Sequence, residues 1–388
     1  MVDKIRLGIV GFGNMGTTHA KNLASGIVKH MTLGAVCDID EERRKVCREL
    51  YPDTPVYDNA EDMYKSGSVD AVIVAIPHYD HPKYVIKALD CGLHVITEKP
   101  AGVYTKQVIE MNEHAKKSDK KFGIMYNQRT NPVFKKVKSL IENGELGNIK
   151  RINWTVTNWY RPQAYHDSAS WRSTWATEGG GTLINQNPHQ LDLWQWMFGM
   201  PSRIRSFVSY GKYYDIECED DVTAFMEYDN GVTGTYITST GEAPGTNRLE
   251  IACDMGQLVV NDGKEITFFR NEMSEREFNK INKMPFGTPE KWECKIPVKE
   301  ESLTQHSAIL ENFALSVLEG KELLAPGEEG INGLTISNAI HYSSWIDDWA
   351  DVKNFPHDKF YEMLSEKIKT SKKKTNVVKN VANTDGSY

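Results

Sequence analysis

The stretch Ile5-Arg6-Leu7-Gly8-Ile9-Val10-Gly11-Phe12-Gly13-Asn14-Met15-Gly16 decides the fold of this 388-residue chain. A short apolar run leads into glycines spaced GxGxxG, and Thr17-Thr18-His19-Ala20 then opens a helical pattern. Strand, tight turn and helix in that order begin a dinucleotide-binding unit. Gly11 permits the turn, Gly13 lets the main chain approach a pyrophosphate, and Gly16 lets the helix pack on the strand with its first N–H groups facing the anion. Glycines punctuate many turns, so the spacing needs support from its surroundings.

The support comes from the next apolar run, Met31 to Cys37, which ends at Asp38. An acidic residue roughly 20 positions past the glycines sits where the ribose hydroxyls belong. A carboxylate there accepts their hydrogen bonds and repels a 2′-phosphate, so the expected cofactor is NAD, held by Gly11, Phe12, Gly13, Asn14, Met15, Gly16 and Asp38. Arg43 and Arg44 follow inside a charged helix start, Asp40-Glu41-Glu42, and are expected to pair with it.

Composition narrows the class. At this length two domains are the natural expectation. A net charge of −7 leaves no footprint for nucleic acid or an anionic membrane. No apolar run approaches the ~18 residues of a spanning helix, and the first strand begins too early for a signal peptide. The expected location is cytoplasmic. Six cysteines without a CxxC pair point to reduced thiols, and no metal site is expected.

Along the chain, apolar runs at Val69 to Ile76, Leu93 to Thr97 and Lys121 to Tyr126 alternate with amphipathic helical patterns. That grammar describes a doubly wound parallel sheet buried on both faces, over residues 1–126. From Ile149 the period changes to two, and Asp229-Asn230-Gly231 reads as a hairpin turn. The fold class is therefore α/β followed by α+β: a Rossmann domain, then residues 127–368 built on an open, mostly antiparallel sheet. Helical patterns at Thr304 to Gly320 and Glu328 to Trp345 pack on that sheet or on the first domain. Residues 369–388, with Lys372-Lys373-Lys374 and a polar remainder, read as a disordered tail.

Ligands of such sheets bind beyond the carboxyl ends of the strands. Pro77, His78 and His81 follow one strand and Glu98-Lys99-Pro100 another, so both segments are expected beside the cofactor. A nicotinamide takes a hydride only as the hydroxyl proton of the same carbon leaves, which requires a base and a stabiliser of alkoxide charge. Lys99 suits the second role. A second constellation is Gly179-Gly180-Gly181-Thr182-Leu183-Ile184-Asn185-Gln186-Asn187-Pro188-His189-Gln190-Leu191-Asp192. Asn187 has N-cap chemistry and Pro188 suits the first helical position, placing His189 in the first turn of a helix to about Phe198. The positive end of the helix dipole there favours a neutral imidazole able to accept a proton. Asp192 is placed to share its face, or simply to complement the dipole.

Six of the nine tryptophans fall between Trp154 and Trp196. Trp159-Tyr160-Arg161, Tyr165, Trp171-Arg172 and Trp175 form an aromatic, arginine-rich segment that suits either a sugar pocket or a subunit interface. With Asn127 and Arg129 leaving the last Rossmann strand, it supplies the expected substrate contacts: Asn127, Arg129, Tyr160, Arg161, Trp171, Arg172, Trp175, Asn185 and His189. No phosphate-specific cluster stands out, so an unphosphorylated ligand is expected.

Taken together, the glycine turn, Asp38, the Pro77 to His81 turn, Glu98-Lys99-Pro100 and the run from Gly179 to Asp192 resemble the Gfo/Idh/MocA family, over roughly residues 4–350. The resemblance implies NAD(P)-dependent redox chemistry on sugars, cyclitols or their derivatives, and oligomers formed through the open sheet. It implies that Lys99 and His189 are the catalytic pair, that Glu98 lies near the nicotinamide ribose, and that the Lys99–Pro100 peptide can be cis. Two positions depart from the family pattern. Asn185 stands where many members carry aspartate, leaving more acid and base work to His189 and Lys99, and His78 stands where many carry asparagine. His78 then either touches the nicotinamide or substrate, or caps the strand. Trp171-Arg172 with Asn185-Gln186 and Pro188-His189 looks like members that oxidise glucosides at C3, including those that begin C-glycoside breakdown. Two activities follow as expectations: an NAD-dependent dehydrogenase acting on a secondary hydroxyl, or a glycosidase that retains NAD and works by transient C3 oxidation and elimination.

Overall fold

The computed structural model describes residues 4–372 and 374. Its first sheet has six parallel strands, β1 (Ile5–Val10), β2 (Met31–Cys37), β3 (Val56–Tyr57), β4 (Ala71–Val74), β5 (His94–Thr97) and β6 (Phe122–Ile124), in the order β3-β2-β1-β4-β5-β6. Helices α1 (Asn14–Ala24), α2 (Glu41–Leu50), α3 (Ala60–Lys65), α4 (His81–Asp90) and α5 (Thr105–Lys117) connect them. The chain reverses direction across the sheet between β1 and β4, which opens a crevice at their carboxyl ends. Every residue of β4 is buried and β1 exposes only Arg6, which turns out to pair with Asp70 at 2.6 Å.

Helix α6 (Pro132–Glu142) leads into β7 (Ile149–Val156), the short α7 (Gln163–His166) and α8 (Pro188–Phe198). The remaining strands are β8 (Arg203–Tyr210), β9 (Glu219–Glu227), β10 (Thr233–Ser239), β11 (Asn247–Cys253), β12 (Gly256–Asn261) and β13 (Glu265–Asn271). Next come α9 (Glu275–Ile281), β14 (Lys291–Ile296), α10 (Gln305–Glu319), α11 (Gly330–Ile346), β15 (Ala350–Asp351) and α12 (His357–Thr370). The nine strands of the second sheet run β14-β13-β12-β11-β7-β10-β9-β8-β15, all neighbours antiparallel except β7 with β10.

One apolar cluster fills each sheet. The first gathers Leu7, Ile9, Val72 and Ile96 and is completed by Ile309, Leu310 and Phe313 of α10, so a helix late in the chain closes the first core. The second is built on Trp154, Trp194 and Tyr236, with Ile336 and Ile340 of α11. Helix α11 touches α5, α8 and β8, which ties the two sheets into one body around the crevice. Its Gly333 lies so close to α8 that an added Cβ would stand 3.2 Å from the Asp192 main-chain nitrogen.

Two expectations about the chain's end change. Lys369 and Thr370, read as the start of a tail, complete α12, because Phe360 and Leu364 anchor its apolar stripe in the second core. Ser371 and Lys372 then bind the Glu217 carboxylate, and Lys374 Nζ donates to His166 O at 2.6 Å. The rest of that stretch lies outside the described residues. Among the described residues no helix is long and apolar enough to cross a membrane.

Candidate active site

The glycine turn has the geometry its spacing requires. Gly11 adopts a positive φ of 93°, and a Cβ there would sit 2.3 Å from the Ala75 carbonyl oxygen. A Cβ on Gly16 would lie 1.9 Å from the Gly11 oxygen, so only glycine lets α1 approach the turn. Gly13 is different. No atom lies within 4 Å of its missing Cβ, and it stands at the N-cap of α1 with no side chain capping the first N–H groups. Open space at a helix N-terminus suits a diphosphate. Asp38 comes to the same place: its Oδ2 accepts from Phe12 N at 2.6 Å and its Oδ1 from Asp40 N at 2.8 Å, leaving further lone pairs for ribose hydroxyls. Phe12 departs from its expected role. Its ring is fully buried against Tyr51 and its N–H is spent on Asp38, so it positions that carboxylate. Arg44 pairs with Glu41, as expected, and Arg48 joins it, whereas Arg43, expected to pair there too, makes no ion pair with Asp40, Glu41 or Glu42.

At the end of β5, Glu98 is buried and accepts from His19 Nε2 at 2.7 Å and from the Lys99 N–H at 3.2 Å. Burial alone would raise its carboxyl, but His19 and the charges of His306 and Lys99 hold it at about 2. The Lys99–Pro100 peptide is cis. The Lys99 ammonium donates to the Asn185 carbonyl at 2.9 Å, across 86 residues of chain. Burial pushes Lys99 below its ordinary value, Glu98 and Glu178 push it back, and Arg172 and Arg161 add to the lowering.

His189 reaches the same site from the first turn of α8. It is 7% exposed, its ring lies 6.3 Å from that of Tyr126, and its Nδ1 has no hydrogen-bond partner. Burial, then Lys99 and His306, hold it well below its ordinary value, so it is neutral. The expectation of neutrality named the helix dipole; burial and the neighbouring Lys99 and His306 account for it as well. Asn187 does not cap α8 with its side chain, because Nδ2 donates to Thr182 Oγ1 at 2.8 Å and Oδ1 accepts from Tyr236 at 2.9 Å. Those bonds tie the start of the helix to the second sheet instead.

The glycine run before α8 is wrapped around Glu219 at the start of β9. Glu219 accepts from Gly181 N at 2.8 Å and Leu183 N at 2.9 Å, and a Cβ on Gly181 would stand 2.1 Å from its carbonyl oxygen. Gly179 meets Val103 in the same way, at 2.3 Å. Glu178, the residue before the run, is buried and accepts the Asn185 side-chain amide on one oxygen and the Ser173 N–H on the other. Its carbonyl accepts from His78 Nδ1 at 3.1 Å, so His78 joins the Rossmann turn to the second domain.

Of the expected substrate contacts, Trp171, Arg172, Arg161, Asn185 and His189 converge. The Arg172 guanidinium lies 4.5 Å from the Trp171 ring centroid and 4.3 Å from that of Tyr165, and its Nη1 donates to the Tyr165 hydroxyl at 2.6 Å. Arg161 covers the Tyr165 ring at 5.1 Å, and Trp171 meets His78 at 5.9 Å.

Four side chains do not join them. Arg129 is buried and fully committed, with bonds of 2.8 and 2.7 Å to Asp192, 2.6 Å to Glu329 and 3.0 Å to the Leu324 carbonyl. Asp192 is thereby spent on Arg129 rather than on His189. Trp175 packs among Tyr210, His341 and Trp345, with its N–H on the Glu217 carbonyl, and belongs to the second core. Tyr160 is 45% exposed. Asn127 is buried with its amide on Gln305 at 2.7 Å. His81 also changes role. Its ring nitrogens both lie 2.7 Å from carbonyl oxygens, those of Pro100 and Ile76, which clamps the two strand-end turns together and leaves no ring atom for a cofactor.

Four residues that sequence reading passed over complete the site: His19, His306, Glu178 and Glu219. Only Glu178 carried a local signal, as an acid abutting a buried glycine run.

The family model described as an oxidoreductase family with an NAD-binding Rossmann fold matches residues 5–126, and the GFO/IDH/MocA C-terminal domain matches residues 134–259. The chain belongs to the Gfo/Idh/MocA family. Among its relatives, scyllo-inositol 2-dehydrogenase (NADP(+)) IolW of Bacillus subtilis is 25% identical over 88% of this chain and 94% of its own length. The myo-inositol 2-dehydrogenase of Thermotoga maritima is 25% identical over 68% of this chain and 77% of its own. The WlbA dehydrogenase of Chromobacterium violaceum, solved with NADH and UDP-GlcNAcA, superimposes with a TM-score of 0.77 at 25% identity, over 89% of this chain and 95% of that one. This Gfo/Idh/MocA chain is an NAD-binding oxidoreductase, and Gly13, the α1 N-terminus and Asp38 fit that cofactor.

Proposed function

We propose that this chain oxidises a secondary hydroxyl, at C3, of an unphosphorylated sugar, cyclitol or glycoside. Bound along the glycine turn, NAD supplies the hydride acceptor. His189 takes the hydroxyl proton: its imidazole is held neutral, so a ring lone pair is available, and its Nδ1 has no protein partner. Lys99, with three N–H donors, keeps one on the Asn185 carbonyl and donates another to the reacting oxygen, stabilising its developing charge. Trp171, Arg172 and Arg161 offer ring faces and hydroxyl-binding donors, and relatives named for inositols, with a neighbour solved on a sugar nucleotide, support a polyhydroxylated ring. A homo-oligomer would use the outer sheet face, where Phe207 and Phe225 are exposed.

The single observation that carries this reading is the meeting of His189 and Lys99 in one site from the two domains, with the Lys99 ammonium on the Asn185 carbonyl four residues before His189. Stopped-flow absorbance at the nicotinamide band with a glycoside panel, and NMR assignment of the oxidised carbon, test it. His189→Ala should bind NAD as the wild type does and turn over about 100-fold more slowly or worse. Unchanged turnover removes His189 from the mechanism. Net hydrolysis of a glycoside without accumulating NADH would instead favour the NAD-retaining glycosidase.

A further inference from the structure

Asn185 stands between a buried carboxylate and the Lys99 ammonium. The Asn185 side-chain amide donates to Glu178 Oε1, while the Asn185 carbonyl accepts from Lys99 Nζ at 2.9 Å. One residue therefore joins the buried carboxylate to the ammonium. Glu178 is itself held from two more sides, by the Ser173 N–H on Oε2 and by His78 on its carbonyl. Gly179 and Gly181, which cannot gain a side chain without striking Val103 and Glu219, fix the main chain that follows. Such a carboxylate cannot swing away. Both its oxygens accept, so a glutamine of the same volume keeps the Ser173 bond and pairs with Asn185 only if that amide turns over; what it removes in either case is the charge.

We propose that Glu178 is a positioning residue for the oxidation, holding Asn185 where Lys99 binds it and supplying a counter-charge to that ammonium. This rests on the reading of Lys99 as the alkoxide stabiliser. The charged neighbours of Lys99 are Glu98 on its own turn, Glu178 at the glycine run, and Arg161 and Arg172 on the loop, with His78, His81, His189 and His306 around it. Those of Glu178 are Lys99, Arg172, Glu219, Cys218 and Lys374. Two cations press on Lys99 from the substrate side and only two carboxylates oppose them, so loss of one is felt. The Glu178 carboxyl itself sits at about 7, so it carries its charge above neutrality.

The test reads Lys99 directly and then through turnover. Competitive acetylation of the full-length protein across pH, followed by mass spectrometry, reports the titration of Lys99 without any substrate. In Glu178→Gln that titration should move down by about one pH unit, the lower end of what a neighbouring opposite charge does. The alkaline limb of the kcat/KM profile should move with it, while NAD affinity stays at the wild-type value. The double variant E178Q/N185D returns a carboxylate to position 185 with the hydrogen bond reversed, and should restore both limbs. Wild-type titration of Lys99 in Glu178→Gln, or a double variant no better than the single one, overturns the proposal. A shifted titration in a protein that oxidises no glycoside would sustain this inference and sink the substrate reading instead.

Discussion

Glu98 and Glu178 are both buried, both act on Lys99, and differ in opposite directions from an ordinary glutamate. Glu98 closes a Rossmann strand, and although burial opposes its charge, His19 and the cations around it hold the carboxyl at about 2. Glu178 opens an irregular run in the second domain, and there burial wins: Arg172, Ser173 and Asn185 pull it down, Glu219 pushes it up, and it settles at about 7. Equal burial of the same side chain thus gives a permanent charge on one side of the site and one that changes near neutrality on the other. The neighbours decide, as they must where desolvation is common to both.

The largest expected effect comes from a third buried acid, Asp192, whose two oxygens accept from Arg129 at 2.8 and 2.7 Å. If full pairing is what permits buried charge here, Asp192→Asn strips Arg129 of its bidentate partner and costs about 3–5 kcal/mol. Chemical denaturation at neutral pH measures it. Unaltered stability with a raised KM would return Arg129 to the substrate pocket.

Next in size, the two glutamates should bend the stability curve in opposite senses. For Glu98 the folded value of about 2 lies below the ordinary 4.5. Its contribution, about 3 kcal/mol at 1.36 kcal/mol per pH unit, is present above pH 4.5 and lost as pH falls through 2. For Glu178 the folded value of about 7 lies above 4.5. The native state then binds that proton more tightly, so stability declines as pH rises from 4.5 to 7, by up to about 3 kcal/mol. Denaturation midpoints between pH 2 and 8 should lose the acid slope in Glu98→Gln and the neutral slope in Glu178→Gln. Two variants with the wild-type curve would erase the contrast.

The same contrast explains what was legible in the sequence. Gly11, Gly13, Gly16 and Asp38 act through main-chain geometry at fixed spacing, and Pro188-His189 announces a helix start, so both read directly from neighbouring residues. Lys99 follows from its place at a strand's carboxyl end. The Arg129–Asp192 pair spans 63 residues, Asn187 meets Tyr236 across 49, Trp175 meets Glu217 across 42, and Glu178 meets His78 across 100. No local pattern encodes such pairs. Strand β14, whose first three residues are all exposed, and α12, which is held by two apolar anchors, carry periodic signals too weak to separate from loop and tail.

The smallest effect separates the two tryptophans of the aromatic segment. Trp171 faces His78 and lies under Arg172, at the meeting of the two domains, whereas Trp175 is 4% exposed beneath Lys367, among Tyr210, His341 and Trp345. Trp171→Leu should raise KM for the sugar about tenfold with little change in stability, the worth of one aromatic contact. Trp175→Phe should leave KM within about twofold and appear only as a loss of about 1 kcal/mol in denaturation, as a core aromatic trimmed in size does. Steady-state kinetics beside melting curves distinguishes the two, because a pocket residue moves the first and a core residue the second. Should Trp175→Phe move KM instead, the substrate pocket extends past the Glu178 turn, and the charge held there would contact the sugar itself rather than act through Asn185.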